Sequence, residues 1–333
     1  MKTNQYIHNN INTLSLIKLC LSFLVILILA YFSGWREVGV DRGNYITLVN
    51  LIRSTDDLNE KILFAKDITF LLVSNLAILF SPDVKIVFLI LCLISLIAKY
   101  FAIKKISPNY LFKYIILYAI FLSTGLEFAA MRSGLSIGFL LLAISFKENK
   151  WLFIIFSIMT ITSHISMLPV IFLTIPKIND VLSKNKSGYF AITFITAIIG
   201  SSLISFSFQG ANYENNNGTL FAYSEPIATL IIAFMVFYRT NNLISHNQLN
   251  PVVKFLLIAR TLVFSLIAIS FGIISTVVTA STRYLEISWC LLLLCSLITY
   301  KRSPLNLIGI FAFILFLSYI NYRRLTWLGL INL

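Results

Sequence analysis

The sequence predicts an all-α, polytopic integral membrane protein, and three observations carry that prediction. Of the 333 residues, 58% are hydrophobic and only 12% are charged, which is outside the range typical of soluble domains. Apolar runs near twenty residues recur along the whole chain, and an α-helix of that length crosses a bilayer. The polar intervals between the runs are too short for a separate soluble domain. We therefore expect one membrane-embedded domain over residues 1–333.

The first apolar run extends from Leu14 to Phe32 and follows a polar head that contains Lys2. Lys18 lies near enough to the start of the run for its amine to reach the headgroup region. No convincing small-residue cleavage site follows, so we interpret the run as a retained transmembrane helix and not as a signal peptide. The positive charge before it predicts a cytoplasmic N-terminus.

Ten further apolar runs are candidate spans, each bounded by charge, proline or asparagine. They are residues 60–80, 84–103, 110–126, 129–146, 151–176, 188–207, 220–238, 253–273, 284–300 and 304–320. The chain thus contains about 10–12 transmembrane or half-membrane helices. Lysines at both ends of 151–176 and after 84–103 conflict with simple alternation of sides under the positive-inside rule. We therefore expect broken or re-entrant helices within 60–103 and 151–176, and such breaks are tolerated where they line a wet cavity.

Charge and cysteine content exclude other classes of protein. The 26 Lys and Arg residues exceed the 13 Asp and Glu residues, giving a net charge of +13, but cytoplasmic loops of membrane proteins carry such an excess. Nucleic acid is therefore not an expected partner. The four cysteines lie inside apolar runs without CxxC spacing, which is typical of packing residues and not of disulfides or metal ligands. No Asp-x-Asp motif is present, and we expect no metal and no cofactor.

The stretch GWREVGVDRGNY, residues 34–45, places four charges directly after the first apolar run. Gly39 permits a tight turn that would bring Arg36 and Asp41 to one side of the loop. Headgroup contacts or mutual pairing would also account for these charges. The apolar residues that follow recur at i, i+3, i+4 and i+7, which predicts a short amphipathic helix in the membrane surface with Asp41 and Arg42 at its start. They are Tyr45, Leu48, Val49 and Ile52.

Arg132, His164 and Arg283 lie in or directly beside apolar runs. An arginine at a helix centre costs at least about 2.5–3.5 kcal/mol unless it faces a partner or a water-filled cavity. Internal ion pairs with Glu127 and Glu286 are one explanation, although we expect the first to be poor and the second to be surface-like. His164 has no second ligand at metal-binding spacing, so it is either a packing residue or a titratable group at a helix break.

In their order along the chain, these residues resemble the EpsG-like family of polysaccharide polymerases, which includes many Wzy-type O-antigen polymerases. The similarity covers almost the whole chain. Members of the family often carry Gln where this chain has Ser133, and Pro where it has Lys61. The matching motifs are Arg36-x-x-Gly39-x-Asp41-x-x-x-Tyr45, Glu60 with Phe64, Met131-Arg132, His164-x-Ser166 and Arg283-Tyr284.

The resemblance implies a GT-C-like helical fold and a glycosyltransferase that works at the outer face of a bacterial inner membrane. Such an enzyme moves a growing glycan from one undecaprenyl diphosphate carrier onto the sugar of another. The implied partners are undecaprenyl-diphosphate-linked glycans and the lipid bilayer, with a chain-length regulator and a flippase as further candidates.

This chemistry assigns roles to the charged residues. An acceptor hydroxyl needs a base, for which Asp41 and His164 are the candidates. A departing diphosphate gains negative charge, which guanidinium groups stabilise bidentately. The candidates for binding diphosphate or glycan are Arg36, Tyr45, Arg132 and Arg283, with Arg323 and Arg324 as weaker ones.

Three other functions stay open at this point. A lipid-glycan flippase also needs cations in a membrane cavity, but it usually has more spans and two related halves. An O-antigen ligase usually carries a large outer loop late in the chain, whereas the loop 208–219 is short. A membrane acyltransferase would use His164 as its base, yet no Asp follows four or five positions later.

Overall fold

A computed structural model of the chain describes residues 13–37, 41–65, 67–179, 220–238, 250–274 and 278–327. These residues form α-helices, short 3-10 turns and connecting loops, without a strand among them. The prediction of an all-α protein is therefore confirmed. The expected turn at Gly39, the predicted span 188–207 and the loop 208–219 lie outside the described residues.

Five helices are long and apolar enough to cross a membrane. At a rise of 1.5 Å per residue, their 22 to 24 residues extend about 33–36 Å, which exceeds the roughly 30 Å of a hydrocarbon core. They are α1 (Thr13–Trp35), α5 (Val84–Ile106), α12 (Pro251–Ile273), α13 (Val278–Thr299) and α14 (Pro304–Trp327).

The remaining helices are shorter. They are α2 (Arg42–Ser54), α3 (Leu58–Ala65), α4 (Ile68–Phe80), α6 (Leu111–Phe121), α7 (Ser123–Leu126), α8 (Met131–Ser145), α9 (Lys150–Ser163), α10 (Leu168–Thr174) and α11 (Ser224–Val236). Five segments of this set are apolar as well, in addition to the five long helices. The described part of the chain therefore already contains ten apolar helical segments, as expected for a polytopic membrane protein.

Local sequence signals explain where several helices begin. The side chains of Asp83, Asn149 and Asn250 each accept a hydrogen bond from a backbone N–H in the first turn of the helix that follows. Such caps satisfy amides that have no partner within the helix. Proline is the first residue of α12 and of α14, a position where its missing N–H has no cost.

The predicted interruption of 60–103 and of 151–176 is present, with one refinement. The segment 60–80 is divided between α3 and α4, while Val84–Ile106 is one continuous helix. In 151–176 the helix stops at Ser163, and a 3-10 turn (Ile165–Met167) separates it from α10. The amphipathic stripe is also confirmed, because Tyr45, Val49 and Ile52 are the buried residues of α2.

Helices α5 and α8 pack closely at the centre of the bundle. A Cβ atom at Gly138 would lie 2.8 Å from the carbonyl oxygen of Ser95, and one at Gly134 would lie 2.9 Å from that of Leu126. Gly138 therefore allows the backbone of α8 to approach α5, and Gly134 allows it to approach the end of α7. Most of α13 is buried inside the bundle, whereas most side chains of α1 and α14 point outward, where lipid would contact them.

Candidate active site

Several charged residues lie where short helices end. Helix α8 has 15 residues and α9 has 14, so each extends about 21–22 Å and stops short of a roughly 30 Å hydrocarbon core. Arg132 is the second residue of α8, His164 directly follows α9, and Asp67 directly precedes α4. Helix ends leave backbone polar groups without helical partners. The three residues therefore share a polar region between the ends of the short helices.

Asp67 joins Arg132 and His164. Its Oδ2 atom lies 2.7 Å from Nη1 of Arg132 and 3.9 Å from Nδ1 of His164, and its side chain is only 3% exposed. The Arg132 guanidinium also lies over the ring of Tyr45, with its Cζ atom 5.5 Å from the ring centroid. Glu127, from which we expected only poor pairing, is therefore not the partner of Arg132. The partner is a carboxylate 65 residues away in the chain.

Arg283 contacts two carboxylates from different parts of the chain. Its Nη2 lies 3.2 Å from Oδ2 of Asp41, which is 242 residues away, and its Nη1 lies 3.0 Å from Oε2 of Glu286. Glu286 also accepts a hydrogen bond of 2.6 Å from Nη2 of Arg324. The Glu286 side chain is 2% exposed. The prediction that Glu286 offers only surface-like pairing is thus wrong, because this carboxylate is buried and bridges two arginines.

Arg36 is buried and lacks a carboxylate partner among the described residues. Its Nη1 donates to the backbone oxygen of Glu127 at 2.6 Å and to Oγ of Ser33 at 3.3 Å. Its Nε and Nη2 atoms are buried without a hydrogen-bond partner in the part of the chain that the structure describes. Arg42 donates from Nε to the backbone oxygen of Arg36. Arg36 therefore retains two donors, and a buried donor without a partner is unfavourable.

A buried ion pair includes Glu127, whose backbone oxygen accepts from Arg36. The Nζ atom of Lys99 is 2.8 Å from Oε1 of Glu127, and both side chains are 0% exposed. Tyr118 donates its hydroxyl to the same carboxylate oxygen at 2.7 Å, and Lys99 also donates to the backbone oxygen of Gly134 at 2.7 Å. These bonds compensate for the loss of hydration of the two charges. The pair fixes the segment 127–130 between α7 and α8.

The two groups of charges are joined. Arg132 and Arg283 are both close enough to His164 to interact with it electrostatically. The hydroxyl of Tyr284 donates to the backbone oxygen of Ser166 at 2.9 Å, which attaches α13 to the turn after His164. Arg323 lies at the exposed edge of this cluster, since its side chain is 52% exposed and pairs with Glu225, which is close enough to Arg324 and Glu286 to interact with them electrostatically.

The described cluster has an excess of positive charge. Five guanidinium groups stand against three carboxylates, leaving a net charge of +2 from these groups. The guanidinium groups are those of Arg36, Arg42, Arg132, Arg283 and Arg324, and the carboxylates are those of Asp41, Asp67 and Glu286. The side chains of Asp41, Arg132, His164 and Arg283 are partly exposed. An anion can therefore reach the cluster from outside.

Comparison with known proteins identifies the family. A model of the EpsG family matches residues 19–331, which is nearly the whole chain. The chain belongs to the EpsG family. This family includes Wzy-like polymerases, and the membership indicates a polysaccharide-polymerase-like, glycosyltransferase type of function. Neither the curated proteins nor the solved structures contain a match.

Sequence reasoning about this EpsG-family chain missed two parts of the site. Asp67 lies within the predicted span 60–80, and the pair Lys66-Asp67 in an otherwise apolar run was the signal that could have revealed the break. Lys99 lies near the end of the predicted span 84–103, where Lys104 and Lys105 make it resemble part of a basic helix end and not a buried partner of a carboxylate. Among the described residues, no group of three or more His, Cys, Asp or Glu side chains is arranged to hold a metal ion.

Proposed function

We propose that this EpsG-family protein polymerises undecaprenyl-diphosphate-linked oligosaccharide repeat units into O-antigen or a related surface polysaccharide. The observation that supports this most is the assembly of arginines, carboxylates and one histidine from distant parts of the chain near the ends of helices. A lipid-linked sugar diphosphate places its charged part at such a position, next to the bilayer that holds its polyprenyl tail.

The reaction is the transfer of a glycan between two carriers. The hydroxyl of the acceptor sugar attacks the anomeric carbon of the growing chain and forms the new glycosidic C–O bond. The C–O bond between that carbon and the diphosphate breaks, and undecaprenyl diphosphate departs with the bonding electrons. A base accepts the hydroxyl proton. We propose that the reaction needs no metal ion, because fixed guanidinium groups stabilise the departing charge.

The diphosphate contacts are assigned to Arg36, Arg132 and Arg283. Each of these arginines holds a protein acceptor, yet the donors that remain differ. Arg36 has two buried donors without partners among the described residues, while the ion pair of Arg132 engages only its Nη1 atom. Guanidinium groups bind phosphate oxygens through two parallel N–H bonds. Arg36 is therefore placed equal to the other two and not, as the sequence indicated, in an assisting role.

The base is Asp41 or His164, and the surroundings of the two differ. Asp41 contacts the Arg283 guanidinium at 3.2 Å, so its carboxylate must accept from the sugar hydroxyl while it remains in this ion pair. The Nδ1 atom of His164 stands 3.9 Å from Oδ2 of the buried Asp67, which is beyond hydrogen-bond distance, so the imidazole is available to the sugar hydroxyl. Tyr45 supports the site by holding Arg132 against its ring. Arg324 contributes through Glu286, and the exposed Arg323 is the least central candidate.

The proposal includes location and partners. We propose that the N-terminus lies in the cytoplasm and the arginine site toward the outer face of the bacterial inner membrane, which the lysine distribution supports. Repeat units must reach that face, so a flippase supplies the substrate, and a chain-length regulator is a further partner. The helical bundle is proposed to be GT-C-like.

A gene deletion with complementation tests this function. Loss of long glycan chains with retention of a single-unit glycolipid supports a polymerase. Loss of all surface glycan would instead indicate a flippase or a ligase. The sharper arm uses an Arg36→Lys variant at wild-type membrane abundance, since this change preserves one charge but removes the two unpartnered guanidinium donors. We expect shortened or absent ladders from this variant.

A further inference from the structure

A basic cavity lies at the end of the bundle opposite the arginine site. It has a volume of about 710 Å³ and lies among the last residues of α5 and α8 and the first residues of α9 and α12. Arg132 and His164 occupy the other ends of α8 and α9. The basic residues that line the cavity are Lys105, Lys147, Lys150 and Lys254.

The charge of this cavity is only partly neutralised. Glu148 is the acidic residue in its lining, and its Oε1 lies 2.8 Å from Nζ of Lys254. This hydrogen bond lowers the pKa of Glu148, so the pair is ionic at neutral pH. Among the described residues that line the cavity, four lysines against one carboxylate give a net charge of +3. Among the described residues, Lys105 and Lys150 take part in no ion pair.

An apolar groove adjoins the cavity. The groove has a volume of about 460 Å³, and its lining includes Phe101, Leu142 and Phe156. Two residues, Lys105 and Phe146, line both spaces. The Nζ atom of Lys105 lies 3.4 Å from the centroid of the Phe146 ring, which places a cation where the basic cavity meets the apolar groove. A soluble anion would need the first space only, whereas a lipid with a charged head and an apolar chain would fill both.

We propose that this cavity binds the phosphate headgroup of an anionic phospholipid, with part of an acyl chain in the adjoining groove. The proposal does not depend on the polymerase function. By the positive-inside rule, the lysine-rich end faces the cytoplasmic leaflet, where basic pockets between helices recognise anionic headgroups. A lipid at this position contacts α5, α8, α9 and α12 together. It stabilises the helices whose opposite ends carry Arg132 and His164.

The test uses the purified full-length protein in neutral detergent micelles. Bound lipids are counted by native mass spectrometry during titration with short-chain phosphatidylglycerol or short-chain phosphatidylcholine. We expect one phosphatidylglycerol to bind preferentially. The Lys105→Gln/Lys150→Gln variant should bind it at least tenfold more weakly, since basic groups near an anionic headgroup each contribute measurably to affinity. The matched control is Lys301→Gln/Arg302→Gln, which removes two exposed positive charges that do not line the cavity.

A second variant should change the affinity for phosphatidylglycerol in the opposite direction. Glu148→Gln removes a carboxylate from the lining and frees Lys254 from its ion pair, so it should bind phosphatidylglycerol more tightly than the wild type. This arm tests the proposal even when the double lysine variant fails to fold. Equal binding of both lipids, or equal loss in the Lys301→Gln/Arg302→Gln control, overturns the proposal. Competition by glycerol 1-phosphate as effective as that by phosphatidylglycerol would identify a soluble phosphate as the ligand and also overturn it.

Discussion

Arg283→Lys is the most informative single substitution at the arginine site. The wild-type guanidinium uses its two terminal nitrogens on two different elements: Nη1 on Glu286 within α13, and Nη2 on Asp41 at the start of α2. A lysine keeps the positive charge, but its single ammonium group lacks the planar fork that engages both partners. The substitution therefore removes geometry and preserves charge.

The expected size of the effect follows from these contacts. A lysine retains one of the two charge-assisted hydrogen bonds, and a hydrogen bond to a charged group contributes about 1.5–3 kcal/mol. If the hydrogen bond that the lysine loses acts in the transition state, the rate of polymerisation falls about 10- to 150-fold, because each 1.4 kcal/mol corresponds to a factor of about ten. Glu286 keeps Arg324 as a partner, so we expect the variant to fold and to insert.

The assay is a glycan ladder on a gel, compared with the amount of protein in the membrane fraction. Arg302→Lys is the matched control, because Arg302 is exposed in the turn between α13 and α14 and has no role in the arginine site; its ladder should match the wild type. Full-length ladders from Arg283→Lys at normal abundance would refute the reasoning. Exchange of Arg283 and Glu286 should not restore activity, since it would set a carboxylate against Asp41 and a guanidinium against Arg324.

Three further predictions concern the base, the topology and the packing of the site. Either Asp41→Asn or His164→Ala should abolish long chains at normal expression, because one of the two accepts the acceptor proton; the ladder distinguishes them. A cysteine at the exposed Asn50 should react with an impermeant thiol reagent in intact spheroplasts, as expected for an outer loop. Gly125→Ala should shorten the glycan ladder, since a methyl group there would collide with the Arg324 guanidinium.

Each of these three has its own control. Near-normal chains from both base variants would show that neither residue is the base. Labelling of Asn50→Cys only after lysis would reverse the topology, and the parent chain should stay unlabelled. Gly43→Ala is the control for the packing variant, because an added Cβ at Gly43 meets nothing within 4 Å; equal ladder loss in both glycine variants would contradict the argument.

Periodicity and apolar length were enough to predict the elements of the fold. The stripe of α2 and the break at His164 follow from spacing and from a cluster of polar residues near a proline, both of which are local properties. The position of the break within 60–103 is less predictable, because the lysine positions indicate on which side of the membrane a segment ends and not the residue at which a helix stops. That residue depends on which backbone groups find partners elsewhere in the bundle.

The partners within the site could not be predicted from one sequence. Arg132 pairs with a carboxylate 65 residues away, and Arg283 pairs with one 242 residues away. Helical spacing suggests only near neighbours. It offered Glu286, which Arg283 does contact, and Glu127, which we expected to be a poor partner and which is not the partner of Arg132. The energetic rule that a charge in an apolar run needs a partner selected the right arginines. It could not name the partner, since that depends on tertiary packing.

The buried Lys99–Glu127 pair has a consequence for Arg36. In a continuous helix, the backbone oxygen of Glu127 would accept the N–H of Met131 four residues later. The chain instead breaks at 127–130, where Ala130 donates its N–H to the oxygen of Gly125 and α8 begins at Met131. The Glu127 oxygen is thereby free to accept from Ser33 and Arg36. The ion pair with Lys99 fixes the side chain of Glu127. The backbone oxygen of Glu127 accepts a hydrogen bond from Arg36 and so orients that arginine. Removal of Lys99 should therefore impair the site through Arg36 as well as through stability.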